Sequence, residues 1–182
     1  MEHIQLTKIE ASRRHLELAI FLFFAEADSV PLHTIVAAGY DVLRDINIRA
    51  NGNVTLTKDS FIEIVASRDQ DLAKRLRNTI NSPQNFFKHA DHDADAILYF
   101  NPELTIHLLF DACMVYSQLT KDLPVSMRIF DTWFKMQYRD LYRELPEVHT
   151  QLSELYLKYQ GRPRQDFYDR MHYLCSQFNL CG

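Results

Sequence analysis

The sequence predicts an all-α protein: a single-domain helical bundle of about seven helices spanning residues 1–182. Three observations carry that reading. Glycine is scarce, with four in 182 residues, so the chain lacks the turn residues of a many-stranded β fold. Apolar residues recur at helical spacing over long uninterrupted segments. Most prolines fall between those segments, where helices start or stop. At 47% hydrophobic and 24% charged residues, the chain belongs with folded proteins and is long enough to bury a sizeable core.

Thr7 and Glu10 form a T-x-x-E capping box, and Ile9, Leu16, Ile20, Phe23 and Ala27 follow at helical spacing. From Ala19 to Ala25 this first helix is apolar on every side, which predicts a central position in the bundle. A second helix is expected from near Pro31, carrying Leu32, Ile35, Val36, Leu43 and Ile46 inward. The Asn-Gly of "NIRANGNVTLT" predicts a loop or small hairpin. A third helix is expected from about Asp59 to Thr79, with a break near Ser67. There "NSP" ends it and Pro83 starts a short helix holding Asn85 to His89. "AILYF" reads as a short strand-like segment. Asn101 as cap, Pro102 in the first turn and Glu103 open the next helix. Pro124 precedes the amphipathic "VSMRIFDTWFKMQYRDLYRE", and Pro146 and Pro163 punctuate two more helical segments.

The formal charge of −4 argues against broad nucleic-acid binding while leaving room for a local basic patch. Three cysteines, Cys113, Cys175 and Cys181, are an odd number in a chain that needs no staples, and so point to a reducing compartment. The most apolar run, Ala19–Ala25, is far short of the roughly 20 residues that span a bilayer. The mixed, acidic start is unlike a signal peptide. A cytoplasmic protein without membrane association is expected. Phosphate-loop, dinucleotide, G-x-S-x-G and H-E-x-x-H patterns are absent from the sequence.

The densest polar segment is "NFFKHADHDAD", residues 85 to 95. Three chemistries fit it. Asp91, Asp93 and Asp95 alternate as oxygen ligands do in calcium loops, but the sixth position is Ala96 and the twelfth Pro102, so an EF-hand does not form. A divalent ion held by these aspartates with His89 or His92 is the remaining metal reading. Alternatively, Asn85, Lys88 and His89 share one helical face, with His89 suited to acid–base work and Lys88 to a phosphate. The third reading is a helix C-terminus in which Lys88 and His89 complement the last carbonyls.

On this segment and the first two helices, over roughly Arg13 to Leu119, the chain resembles a family of small helical bacterial proteins of uncharacterised activity. That family is in turn distantly similar to HEPN domains. The resemblance implies a helical bundle, dimerisation and RNase or toxin-type relatives. The HEPN nuclease signature places an arginine four to six residues before a histidine. His89 matches the histidine, whereas the arginine slot falls near Asn85 and Arg77 is too far upstream. The resemblance therefore implies a module without a complete nuclease motif, working through a ligand or partner. An enzyme acting on RNA or a nucleotide through His89, Lys88 and Asn85 is the competing expectation.

Other polar groups have plainer readings. Glu103, His107 and Asp111 recur along one helix, and with no Glu-x-x-His elsewhere they read as a solvated face. His33 and Tyr40, with Arg44 one turn further on, read as edging a helix interface with wet polar tips. "KRLR" (Lys74 to Arg77) and "GRPR" are the concentrated positive patches. The aromatic-rich part at 124–182 is read mostly as core, with any exposed remainder an interface, and a homodimer is expected.

Overall fold

The computed structural model describes residues 3–50, 62–63, 65–88 and 95–177, apart from the Leu76 side chain. Among them lie seven α-helices, one 3-10 turn and no strand, so the chain is all-α. The "NGNVTLT" part of the expected hairpin and Cys181 lie outside the described residues. The helices are α1 (Lys8–Phe24), α2 (Ser29–Arg49), α3 (Gln70–Lys88), α4 (Glu103–Thr120), α5 (Val125–Gln137), α6 (Pro146–Tyr159) and α7 (Arg164–Gln177). The 3-10 turn, Arg139–Tyr142, follows α5. None of the described helices is long and apolar enough to cross a membrane. The chain divides into two compact units, one of Met1–Ala19 with Asp28–Asp122, the other of Ile20–Ala27 with Leu123–Gly182.

In the first unit, α1 starts as its sequence predicts: the Glu10 N–H donates to Thr7 Oγ1 at 3.1 Å. The Glu10 carboxylate does not complete the capping box, accepting instead from Arg14 at 2.8 Å. α2 begins at Ser29, two residues before Pro31, because the Asp28 carboxylate accepts from the Val30 N–H at 2.8 Å. It packs most extensively against α4. Gly39 lies where α2 meets α1, and a Cβ there would stand 3.3 Å from Leu16. A side chain there would require Leu16 to give way by a few tenths of an ångström. Leu32, Val36 and Leu43 are buried as expected, while Ile35 and Ile46 are half-buried.

Between α2 and α4, His33 and Tyr40 are 2% and 0% exposed. They are interior groups, not the wet edge expected of them. His33 Nδ1 lies 2.9 Å from Thr105 Oγ1, and the rings of Phe87 and Phe100 meet the imidazole edge-on. On α4, Asn101 Oδ1 accepts from the Glu103 N–H at 3.0 Å, so the expected cap is present. The expected solvated stripe is only partly so: Glu103 is exposed, His107 half-buried and Asp111 4% exposed. The buried face is that of Thr105, Leu109, Ala112, Cys113 and Tyr116, which rotates Asp111 inward.

α3 departs most from expectation. The break at Ser67 is present, and the Asp69 carboxylate recaps the chain by accepting from the Leu72 N–H at 2.9 Å. From Gln70 the helix then runs unbroken through Pro83 to Lys88. Pro83 has no N–H for the Thr79 carbonyl four residues back, the usual reason a helix stops. Here the Ser82 hydroxyl donates to that carbonyl at 3.0 Å, so the acceptor is satisfied and the helix continues. The "AILYF" residues, 96–100, form neither strand nor helix, and Ile97 and Tyr99 are 82% and 96% exposed.

In the second unit the core is aromatic. Phe23, Phe24, Phe130, Trp133 and Phe167 are buried, with Phe23 edge-on to Trp133 at 4.7 Å and Phe24 stacked on Phe167 at 6.2 Å. Phe21 remains 52% exposed, so the apolar girdle of α1 is buried on one side only. α1 ends with Glu26 left-handed at φ 54 and the Ala27 N–H on the Leu22 carbonyl, a Schellman-type stop that excludes Ala27 from the helix. Arg164 of the "GRPR" patch lies 4.4 Å over the Phe23 ring and donates to the Phe23 carbonyl at 3.4 Å. Its charge serves a helix end. α5 stops at Gln137 rather than running on through "YRDLYRE", which forms the 3-10 turn. α6 opens on Pro146 in its first turn, as expected.

Candidate anion-binding cleft between α2 and α3

Because α3 is continuous through Pro83, Arg77, Asn81, Gln84 and Asn85 fall on one helical face, at i, i+4, i+7 and i+8. That face is set against Asp41 and Arg44, three residues apart on α2. With Ile62, these residues line a cleft of ≈ 270 Å³. Gln84 Nε2 donates to Asp41 Oδ2, a tie between the helices that holds one end of the cleft. With two guanidinium groups against one carboxylate, the lining carries a net positive charge in a chain whose overall charge is −4. Three side-chain amides supply further donors and acceptors. Convergent Arg and amide donors of this kind suit the oxygens of phosphate or carboxylate.

A second cleft, also of ≈ 270 Å³, opens on the neighbouring face of α3. Asn78, Asn81, Ser82 and Asn85 form one side at helical spacing, and Phe86, Ile97 and Leu98 form an apolar side. Asn81 and Asn85 border both clefts.

The residues expected to carry function are distributed unevenly over this geometry. Asn85 is exposed and lines both clefts. Lys88, the last residue of α3, is exposed and lines neither. Asp95 is exposed in a turn. His89, Asp91, His92 and Asp93 lie outside the described residues. Among the described residues, no group of three His, Cys, Asp or Glu side chains is placed to hold a metal ion. Phe87 packs inward on His33 and Phe100, as an anchor should, while Phe86 belongs to the second cleft.

Asp41, Asn81 and Gln84 were not singled out by the sequence, and Arg77 only as the end of a positive patch and as an arginine too far upstream of His89. A signal for most of them was present: Arg77, Asn81, Gln84 and Asn85 form a polar stripe as soon as the helix is carried through Pro83. A proline ordinarily forbids that continuation. The serine before it satisfies the carbonyl that the proline leaves without a donor. No protein family, curated protein or solved structure matches this chain.

Proposed function

We propose that this chain is a binding module rather than a complete catalyst, and that the α2–α3 cleft takes a small anionic ligand through a phosphate group. The observation that carries the reading is the convergence of Arg44 and Arg77, from two different helices, on one amide-lined cleft. The resemblance to HEPN domains belongs to the same proposal. The positions where their nuclease signature has an arginine, four to six residues before His89, hold Pro83, Gln84 and Asn85. The guanidinium on the same face, Arg77, stands eight residues earlier, about 12 Å along the axis. That spacing holds a ligand without supplying the arginine–histidine pair the nuclease signature requires. Self-association as a homodimer remains part of this reading; Tyr99, 96% exposed and outside both clefts, supports it by leaving apolar surface to cover.

Calorimetric titration of the full chain with inorganic phosphate and pyrophosphate tests the proposal. Binding is expected to weaken with added salt, as contacts between an anion and exposed arginine do. Arg77 is exposed, so Arg77→Glu changes the cleft without opening the core. Removing a charge-assisted hydrogen bond costs about 1.5–3 kcal/mol, and reversing the charge is expected to abolish measurable binding. An unchanged affinity in Arg77→Glu, or no uptake of either anion by the unmodified chain at low salt, overturns the reading.

A further inference from the structure

Three features outside the anion cleft invite a role. The second unit leaves Leu141, Leu145 and Leu157 exposed, and nothing around them identifies what would cover them. The buried His33–Thr105 pair has Phe87 and Phe100 edge-on to the imidazole and lines neither of the two clefts described. The groove beside the anion cleft is different, because its two sides have complementary chemistry and it shares two residues with a site already assigned.

From that juxtaposition we infer that the ligand is a nucleoside monophosphate, its phosphate in the Arg44–Arg77 cleft and its base in the groove between the Asn78–Asn85 face and Ile97. The inference rests on the phosphate reading of the first cleft. A nucleobase is a flat ring that needs an apolar face for its π surface and paired donors and acceptors for its edge. Phe86, Ile97 and Leu98 provide the first. Asn78, Asn81 and Asn85 provide the second, since each amide offers a donor and an acceptor side by side and can pair with a base edge in two-point fashion. The Ser82 hydroxyl proton is committed to the Thr79 carbonyl, which leaves its oxygen as an acceptor. Asn81 and Asn85 stand on the ridge where the two clefts meet, the place a ribose would cross. Each chamber alone, at ≈ 270 Å³, lies at the small end of ligand pockets. A ligand occupying both accounts for a polar, cationic chamber beside a half-apolar one.

The full chain is titrated with phosphate, adenosine, AMP and UMP. AMP or UMP is expected to bind at least about tenfold more tightly than phosphate and more tightly than adenosine, one tenfold step being 1.4 kcal/mol. Ile97 is 82% exposed, so Ile97→Asp puts a carboxylate on the groove rim without emptying the core. It is expected to remove the advantage of nucleotide over phosphate and leave phosphate binding as it was. Asn78→Ala, at an exposed helical position, is expected to lower nucleotide affinity several-fold and serves if Ile97→Asp misfolds by circular dichroism. Phosphate bound as tightly as either nucleotide overturns this inference and leaves the phosphate reading standing. No binding of phosphate or of either nucleotide overturns both. Adenosine as tight as AMP, or nucleotide affinity unmoved by Ile97→Asp and Asn78→Ala, overturns the two-chamber arrangement.

Discussion

Phe24 and His33 are both almost wholly buried, one in each compact unit, and their surroundings differ in kind. Around Phe24 the neighbours are rings: Phe23, Phe130, Trp133, Phe167 and Tyr168. Around His33 they include a hydroxyl, and the rest of that unit buries Ser12, Asn47, Thr105 and Asp111 as well. Among the described residues, the buried serine, histidine, asparagine, threonine and aspartate side chains all fall in the first unit. An aromatic interior is large in area and tolerant in direction, with each ring pair adding about 0.5–1.5 kcal/mol beyond burial. A buried hydrogen bond is worth about 1 kcal/mol net but fixes direction, and orphaning one partner costs about 1–3 kcal/mol. The unit with both clefts is the one whose helices are positioned by directional contacts, and that is what a binding site needs.

A pair of substitutions gives that contrast its sharpest test. Phe24→Ala removes a 0% exposed ring and is expected to cost about 3–5 kcal/mol, the range for emptying an aromatic core position. Thr105→Val keeps the shape and deletes the hydroxyl facing His33 Nδ1, and is expected to cost about 1–3 kcal/mol. Urea denaturation measures both. Phosphate titration under native conditions should separate them in the opposite sense, with the smaller stability loss in Thr105→Val accompanied by the larger loss of affinity. Equal effects on affinity would erase the distinction between a stabilising interior and a positioning one.

Within the first unit, the continuity of α3 is the feature on which the clefts depend. Ser82→Ala withdraws the only side-chain donor the structure gives the Thr79 carbonyl among the described residues. A loss of about 0.5–1.5 kcal/mol is expected, the size of one hydrogen bond, together with weaker binding at Asn85. In a Pro83→Ala background the backbone N–H returns and the same serine substitution should cost almost nothing. A cost that persists in that background would show that Ser82 acts through something other than the missing N–H.

This helix also shows how far the sequence can be read. The capping pattern at Thr7, the Asn101 cap and the start at Pro146 were legible because each is a local hydrogen-bonding or steric rule. So in part was the aromatic core of the second unit, since residues 124–182 carry eleven aromatic side chains over several helical segments and many of these must be inside. As a site residue only Asn85 was legible; Arg44 was seen only as a residue one turn beyond Tyr40, and Arg77 only as part of a positive patch. Arg77 and Asn81 lie upstream of Pro83, in a segment where the local rule ends the helix. They join Asn85 because the helix continues through Pro83, where a serine hydroxyl takes up the carbonyl that lacks a backbone donor, an exchange that depends on one rotamer rather than on any periodic pattern. His33 escaped for a related reason: the hydroxyl facing it in the interior stands on another helix, 72 residues away at Thr105.

The smallest effect expected is confined to alkaline pH. Tyr116, 5% exposed in the first unit, has its phenol pushed above the ordinary value of 10.0 by burial; the nearby Arg13 guanidinium acts the other way and Asp122 adds to the rise. In the unfolded chain the phenol ionises first, at its ordinary value. Its contribution to stability is therefore fully present below about pH 10 and is lost as pH rises through the higher folded value. Tyr116→Phe is expected to flatten that alkaline limb in urea-midpoint measurements, with only a pH-independent offset below it from the lost hydroxyl. Arg13→Ala removes the cation that favours the phenolate, so it should steepen the same limb. If both variants track the unmodified chain above pH 10, the polar character of the first interior does not extend to Tyr116, and the contrast between the two units is carried by the α2–α4 contact alone.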